Sequence, residues 1–124
     1  HDISVKVSLV PEFIQRAVDA AIDRLPGIRP CAFGHVGDGN IHFNLSQPPE
    51  MDAQEYLSLQ GEMNRIVLDI VADLGGSFSA EHGIGMLKLE QIQRYKDPVS
   101  VSLMQSLKRA IDPERLFNPG KVLP

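Results

Sequence analysis

At 124 residues, 43% of them hydrophobic, the chain is long enough for one domain with a single core covered by a few helices. A net charge of −4, without a basic run or aromatic–basic interleaving, argues against nucleic acid as a partner. No apolar stretch approaches the roughly 18 residues that a membrane span needs and no signal peptide is visible, so no transmembrane segment is expected and the expected compartment is the cytoplasm.

Residues 2–9 alternate, with Ile3, Val5, Val7 and Leu9 on one side, which predicts a strand with one buried face. This strand starts at the first residue, His1, with no lead-in, as expected of a piece of a longer protein. Pro11 suits the first turn of a helix, and Phe13, Ile14, Ala17, Val18, Ala21, Ile22 and Leu25 recur at helical spacing until Pro26-Gly27 stops them. Residues 31–46 predict a β-hairpin around Gly37-Asp38-Gly39-Asn40, because Asp38-Gly39 tolerates positive φ at both positions of a two-residue turn. That turn sets His35 opposite His42, with Asn44 on the same face and Val36, Ile41, Phe43 and Leu45 on the other. The hairpin carries the lone cysteine, Cys31, which leaves no internal disulfide and fits a reducing compartment.

Gln47-Pro48-Pro49-Glu50 reads as a loop, and Asp52 followed by Glu55 resembles a capping box. The helix it opens has the stripe Tyr56, Leu59, Met63, Ile66, Val67, Ile70, Val71 and Leu74, and ends at Gly75-Gly76. Residues 77–80 read as a short fourth strand. The resulting order, strand, helix, strand, strand, helix, strand, is that of a ferredoxin-like α+β sandwich over residues 1–85. Both helices then cover the apolar face of the sheet and leave the other face open. Residues 86–124 read as a helical appendage: a helical turn over 86–95, a helix from Asp97-Pro98 to about Ile111, and a tail holding Pro113, Pro119 and Pro124.

The open face gathers the candidate chemistry. His35 and His42, pushed together by the hairpin, offer two neutral imidazoles to a divalent ion. Glu81 follows the fourth strand, and a loop at that strand's end can reach across the open face to add a carboxylate. Two imidazoles and a carboxylate leave coordination positions for substrate, as in a catalytic site. The alternative is that His35 and His42 are a solvated cross-strand pair. His82, beside Glu81 and before Gly83-Ile84-Gly85, is a candidate general base; the alternative is a loop histidine at the mouth of a strand. Asp38 is explained by the turn itself. The Asn118-Pro119-Gly120-Lys121 tail either frays or is held against something.

Three segments together, Gly34-His35-Val36-Gly37-Asp38-Gly39-Asn40-Ile41-His42, Glu81-His82-Gly83-Ile84-Gly85, and Asp112-Pro113 with Asn118-Pro119-Gly120-Lys121, resemble one family. It is the C-terminal domain of FAD-linked oxidases of the vanillyl-alcohol-oxidase type, in the branch of D-lactate dehydrogenase, the glycolate oxidase flavin subunit and D-2-hydroxyglutarate dehydrogenase. The resemblance implies a cap domain whose partner is an N-terminal domain that binds most of the FAD. It implies His35, His42 and Glu81 as metal ligands with zinc the expected ion, Asn44 in contact with substrate, and Asn118, with Lys121 behind it, approaching the flavin. His82 would be the base that takes the hydroxyl proton of a D-2-hydroxy acid while the α-hydrogen passes to flavin as hydride. The same resemblance leaves the electron acceptor unspecified and allows a homodimer. Nothing here resembles the family's N-terminal phosphate-binding segment, so this chain alone is expected neither to bind FAD tightly nor to turn over substrate. Two other readings of the residues stand beside it: a free-standing metal-dependent hydrolase with His82 activating a bound water, and a non-catalytic domain that docks a partner on its open sheet face.

Overall fold

A computed structural model of the chain describes residues 1–123. They form two compact units, His1–His82 and Gly83–Pro124. In the first, strands β1 (Asp2–Ser4), β2 (Arg29–His35) and β3 (Asn40–Ser46) make an antiparallel sheet in the order β1-β3-β2. Ser77 adds a single antiparallel bridge to Ser4 on the outer edge of β1. The order is the split one of an α+β sandwich. The fourth strand, expected over 77–80, is therefore one rung. The next residues turn away because their N–H groups bond a side chain, described below, rather than a ladder.

Helix α1 (Val10–Arg24) and helix α3 (Gln60–Asp73) pack on each other, and α1 also packs on β2. Phe13, Ala17 and Ala21 from α1, Val67 and Val71 from α3, and Ile3, Ile41 and Phe43 from the sheet are almost wholly buried. Phe13 and Phe43 meet edge to face, 5.6 Å between ring centroids, a favoured aromatic geometry.

Three further expectations are corrected. The first strand ends at Ser4, not at residue 9, and residues Val7–Leu9 form a 3₁₀ turn. The cause is its partner: β3 begins at Asn40, opposite Ser4, so only one further bond follows, from Val5 N–H to Gly39 C=O at 3.1 Å. Beyond it, no strand is available to pair.

The hairpin loop holds four residues rather than two. Val36–Asp38 form a 3₁₀ turn closed by Gly39 N–H on Val36 C=O, and Asp38 Oδ1 accepts from Asn40 N–H. Gly39 takes the left-handed conformation at φ 78, where a Cβ would lie 1.9 Å from Val5 O, so only glycine fits. His35 consequently pairs with Asn40, and His42 with Phe33, not with His35. The ladder has moved by two residues, which matches the side-chain period and keeps His35 and His42 on one face. Val36 leaves the apolar face and is exposed in the turn.

The second predicted helix is broken at Leu59 into α2 (Ala53–Ser58) and α3. Asp52 caps α2 by accepting from Gln54 and Glu55 N–H. Leu59 N–H then bonds back to Tyr56 C=O, tightening the last turn, while the Tyr56 hydroxyl donates to Leu45 C=O on β3 at 2.5 Å.

In the second unit, α4 (Leu89–Tyr95) is followed by α5 (Pro98–Ile111), capped by Asp97 on Ser100 N–H at 2.7 Å with Pro98 in the first turn. No helix among the described residues is long and apolar enough to cross a membrane.

Candidate functional site

The face of the sheet away from the helices carries Asp2 on β1, Cys31, Phe33 and His35 on β2, and His42 and Asn44 on β3, all of one pairing parity. Their partners on the opposite face, Ile3, Ile41 and Phe43, are in the core, so the pleat turns these polar groups outward. His42 is sheltered, 18% exposed, against 73% for His35 and 67% for His82. Phe33 lies beside it, 5.2 Å between ring centroids.

The loop after the Ser77 bridge returns over this face. Glu81 stands between the two imidazoles and gives one oxygen to each: Oε1 is 3.0 Å from His35 Nδ1, and Oε2 is 3.7 Å from His42 Nε2. Asn40 Nδ2 donates to the same Oε1, and Asn40 Oδ1 is buried with no hydrogen-bond partner among the described residues. His82 stacks on His42 with ring centroids 5.4 Å apart, and its Nδ1 lies 3.9 Å from Asp2 Oδ2.

His35, His42 and Glu81 are donor types that a divalent ion takes. Tetrahedral ligands at about 2.0–2.1 Å from zinc stand roughly 3.3–3.4 Å from one another. The Glu81 contacts of 3.0 and 3.7 Å bracket that value. Among the described residues, the three-donor group whose ligand atoms all lie within 4.8 Å of one another is Asp2, His42 and His82; His35, His42 and Glu81 do not converge that closely. The two groups share His42 and differ in their carboxylate and in their second imidazole. Asp2 is the poorer ligand, because its oxygens already accept four hydrogen bonds from the loop. Glu81 is 38% exposed and its contacts are mainly the imidazoles and Asn40.

Asn44, two residues from His42 on the same face of β3, lines a cleft of about 340 Å³ with His1, Tyr56, Gln60, Met63 and Asn64. Asn118 lies in the other unit. It adopts φ 46, its carbonyl accepts from Lys121 N–H at 3.2 Å, and it borders a cleft of about 150 Å³ with Lys108, Arg109, Arg115 and Lys121. Below them Asp112 accepts from Lys108, Leu116 N–H and Phe117 N–H, and the Lys108 ammonium holds its carboxyl below the usual carboxylate range.

Sequence reasoning missed two of the residues that build the face. Asp2 reads as an ordinary polar position in an alternating strand, and Asn40 is accounted for by turn chemistry. For Asp2 the one available signal was its parity, which puts it on the face of His42.

A profile of the family described as "FAD linked oxidases, C-terminal domain" matches residues 1–122. A D-2-hydroxyglutarate dehydrogenase of Stutzerimonas stutzeri (strain A1501) is 37% identical over 123 residues, covering 98% of this chain and 26% of that protein. The mitochondrial D-2-hydroxyglutarate dehydrogenase of Rattus norvegicus is 40% identical over 116 residues, 90% of this chain and 21% of that protein. A Danio rerio protein named "Probable D-lactate dehydrogenase, mitochondrial" is 34% identical over 123 residues, 98% of this chain and 24% of its own length. The chain thus spans about a quarter of the length of these curated relatives.

Proposed function

Because this chain belongs to the family of FAD-linked oxidase C-terminal domains, we propose that it is the substrate- and metal-binding part of a flavoenzyme that oxidises a D-2-hydroxy acid to the 2-oxo acid. The relatives named above act, by their names, on D-2-hydroxyglutarate and D-lactate, and the substrate here is of that class. The bulk of the FAD is held by an N-terminal partner domain of the same protein. A 150 Å³ cleft beside Asn118 is well below the roughly 300–1,000 Å³ of a pocket that encloses a ligand. Asn118 therefore contributes one contact to the flavin rather than a binding site for it.

His35, His42 and Glu81 hold a divalent ion, zinc by the preference of two imidazoles and a carboxylate. Bound there, the ion supplies Lewis acidity toward the substrate hydroxyl, and the flavin supplies the hydride acceptor. Asn44 orients the substrate from β3. His82 keeps Nδ1 toward Asp2 Oδ2, which leaves Nε2 to take the hydroxyl proton as the α-hydrogen departs. Stacking against His42 keeps the His82 ring at the same end of the face as the ligands.

The observation that supports this reading most directly is the single carboxylate of Glu81 facing both imidazoles, with His82 on the next residue stacked against one of them. Titration calorimetry of the chain with zinc, beside its His42→Ala variant, tests it. Saturable one-to-one binding that disappears in the variant is the expected result. Absence of binding in the unaltered chain counts against the metal centre, and tight stoichiometric FAD with turnover by this chain alone counts against the division of labour.

A further inference from the structure

Glu81 and His82 sit on a loop with one residue of ladder before it, so something other than the sheet must fix where they point. The backbone N–H groups of three successive residues supply the answer. Ala80 N–H and His82 N–H donate to Asp2 Oδ2 at 3.2 and 3.1 Å, and Glu81 N–H donates to Asp2 Oδ1 at 3.0 Å. The Ser79 hydroxyl adds a fourth contact to Oδ2 at 3.2 Å. The Asp2 side chain is only 5% exposed, and β1 holds it through the core packing of its neighbour Ile3. Hydrogen bonds to an ionised acceptor are roughly twice as strong as neutral ones, and burial strengthens them further.

We infer that Asp2 is the positioning residue of this face: its buried carboxylate clamps the backbone of residues 79–82 so that Glu81 is presented between His35 and His42, and His82 against His42. The inference rests on the metal reading given above and extends it to a residue outside the ligand set. A carboxylate has about four lone-pair sites, and the loop already uses that number on Asp2. Recruiting Asp2 to an ion would release the amides that it holds. It therefore acts on the ion through Glu81, as outer-shell carboxylates do when they orient a ligand, and loss of such a partner typically lowers metal affinity about 10–100-fold.

The experiment uses the full chain, its Asp2→Asn variant and two controls. Asparagine keeps the size and one acceptor oxygen but removes the charge and turns an amide NH₂ toward the remaining donors, so the clamp is weakened with little change in volume. Zinc affinity in Asp2→Asn is expected to fall about 10–100-fold with one-to-one stoichiometry retained. Arg24→Gln, which removes the surface ion pair with Glu62 between α1 and α3, weakens the fold and leaves zinc affinity unchanged, which separates clamping from general stability. The second control, His35→Ala, abolishes binding. Amide hydrogen exchange read by NMR gives a measure independent of metal: Ala80, Glu81 and His82 should exchange at least about tenfold faster in Asp2→Asn. Unchanged exchange at these amides overturns the inference, as does zinc affinity equal to that of the unaltered chain. Abolition in Asp2→Asn with full affinity in His35→Ala also overturns it, and assigns the ion to Asp2, His42 and His82. If the unaltered chain binds no zinc, the metal reading fails, and the exchange rates still decide whether Asp2 holds the loop.

Discussion

Each of the two units contains a nearly buried aspartate that organises a loop through backbone N–H groups, and the two differ in where their donors come from. Asp112, 4% exposed, takes Leu116 and Phe117 N–H from four and five residues ahead, and Lys108 from one helical turn behind. Asp2, 5% exposed, takes its donors from residues 79–82, and the exposed imidazole of His82 lies 3.9 Å from it. A clamp made of near neighbours forms as soon as its own turn forms, and carries its counter-charge with it. A clamp across almost eighty residues exists only when β1, β3 and the helices behind them have assembled. The first kind of clamp stabilises a turn. The second transmits the state of the core to an exposed face, where the candidate ligands are.

The largest effect should come from breaking that assembly. Phe43 lies at the centre of the core, edge-on to Phe13, and Phe43→Ala should cost about 3–5 kcal/mol in urea-induced unfolding. In the same variant, under native conditions, the amides of residues 80–82 should lose more protection than those of Leu116 and Phe117; equal loss would erase the distinction between the two clamps.

A middle effect separates the clamps by pH. The Asp112 carboxyl is held below the ordinary aspartate range in the folded chain, chiefly by Lys108, so its contribution is complete above about pH 4 and disappears as pH falls through the lowered native value. Lys108→Met should return that carboxyl toward its ordinary range. The opening of the turn, followed by the Leu116 and Phe117 amide shifts, then moves to higher pH. An unmoved midpoint would remove Lys108 from the clamp.

The smallest effect is expected at the surface. Arg24 grips Glu62 with two contacts of 2.6 Å between α1 and α3, both side chains about 40% exposed. Arg24→Gln should lower the unfolding midpoint slightly, and the difference should vanish in 1 M salt, where screening acts over about 3 Å. A loss that persists in salt would mean that packing of the arginine stem, not charge, joins these helices.

Much of this organisation was legible from local chemistry. The stripe of Phe13, Ala17 and Ala21, the caps at Asp52 and Asp97, and the separation of Ile41 and Phe43 from His42 and Asn44 follow from periodicities of 3.6 and 2 and from side-chain hydrogen bonding. The three motifs carried the family as well, since the resemblance rested on residue identities and their order. Placement of the imidazole pair on one face survived a wrong turn assignment, because a shift of two residues preserves parity.

What the chain's local chemistry left open was decided by contacts distant in sequence. The first strand stops at Ser4 because β3 has no residue opposite beyond Asn40, and the hairpin loop widens because Gly39 must pass under Val5. Residues 79–82 abandon the sheet for the carboxylate of Asp2, and that exchange carries Glu81 between His35 and His42. Sequence by itself determined which residue types face the open side of the sheet. Tertiary structure alone decided which of them meet, because a loop takes the path that satisfies its backbone N–H groups, and their acceptor lay almost eighty residues away in sequence.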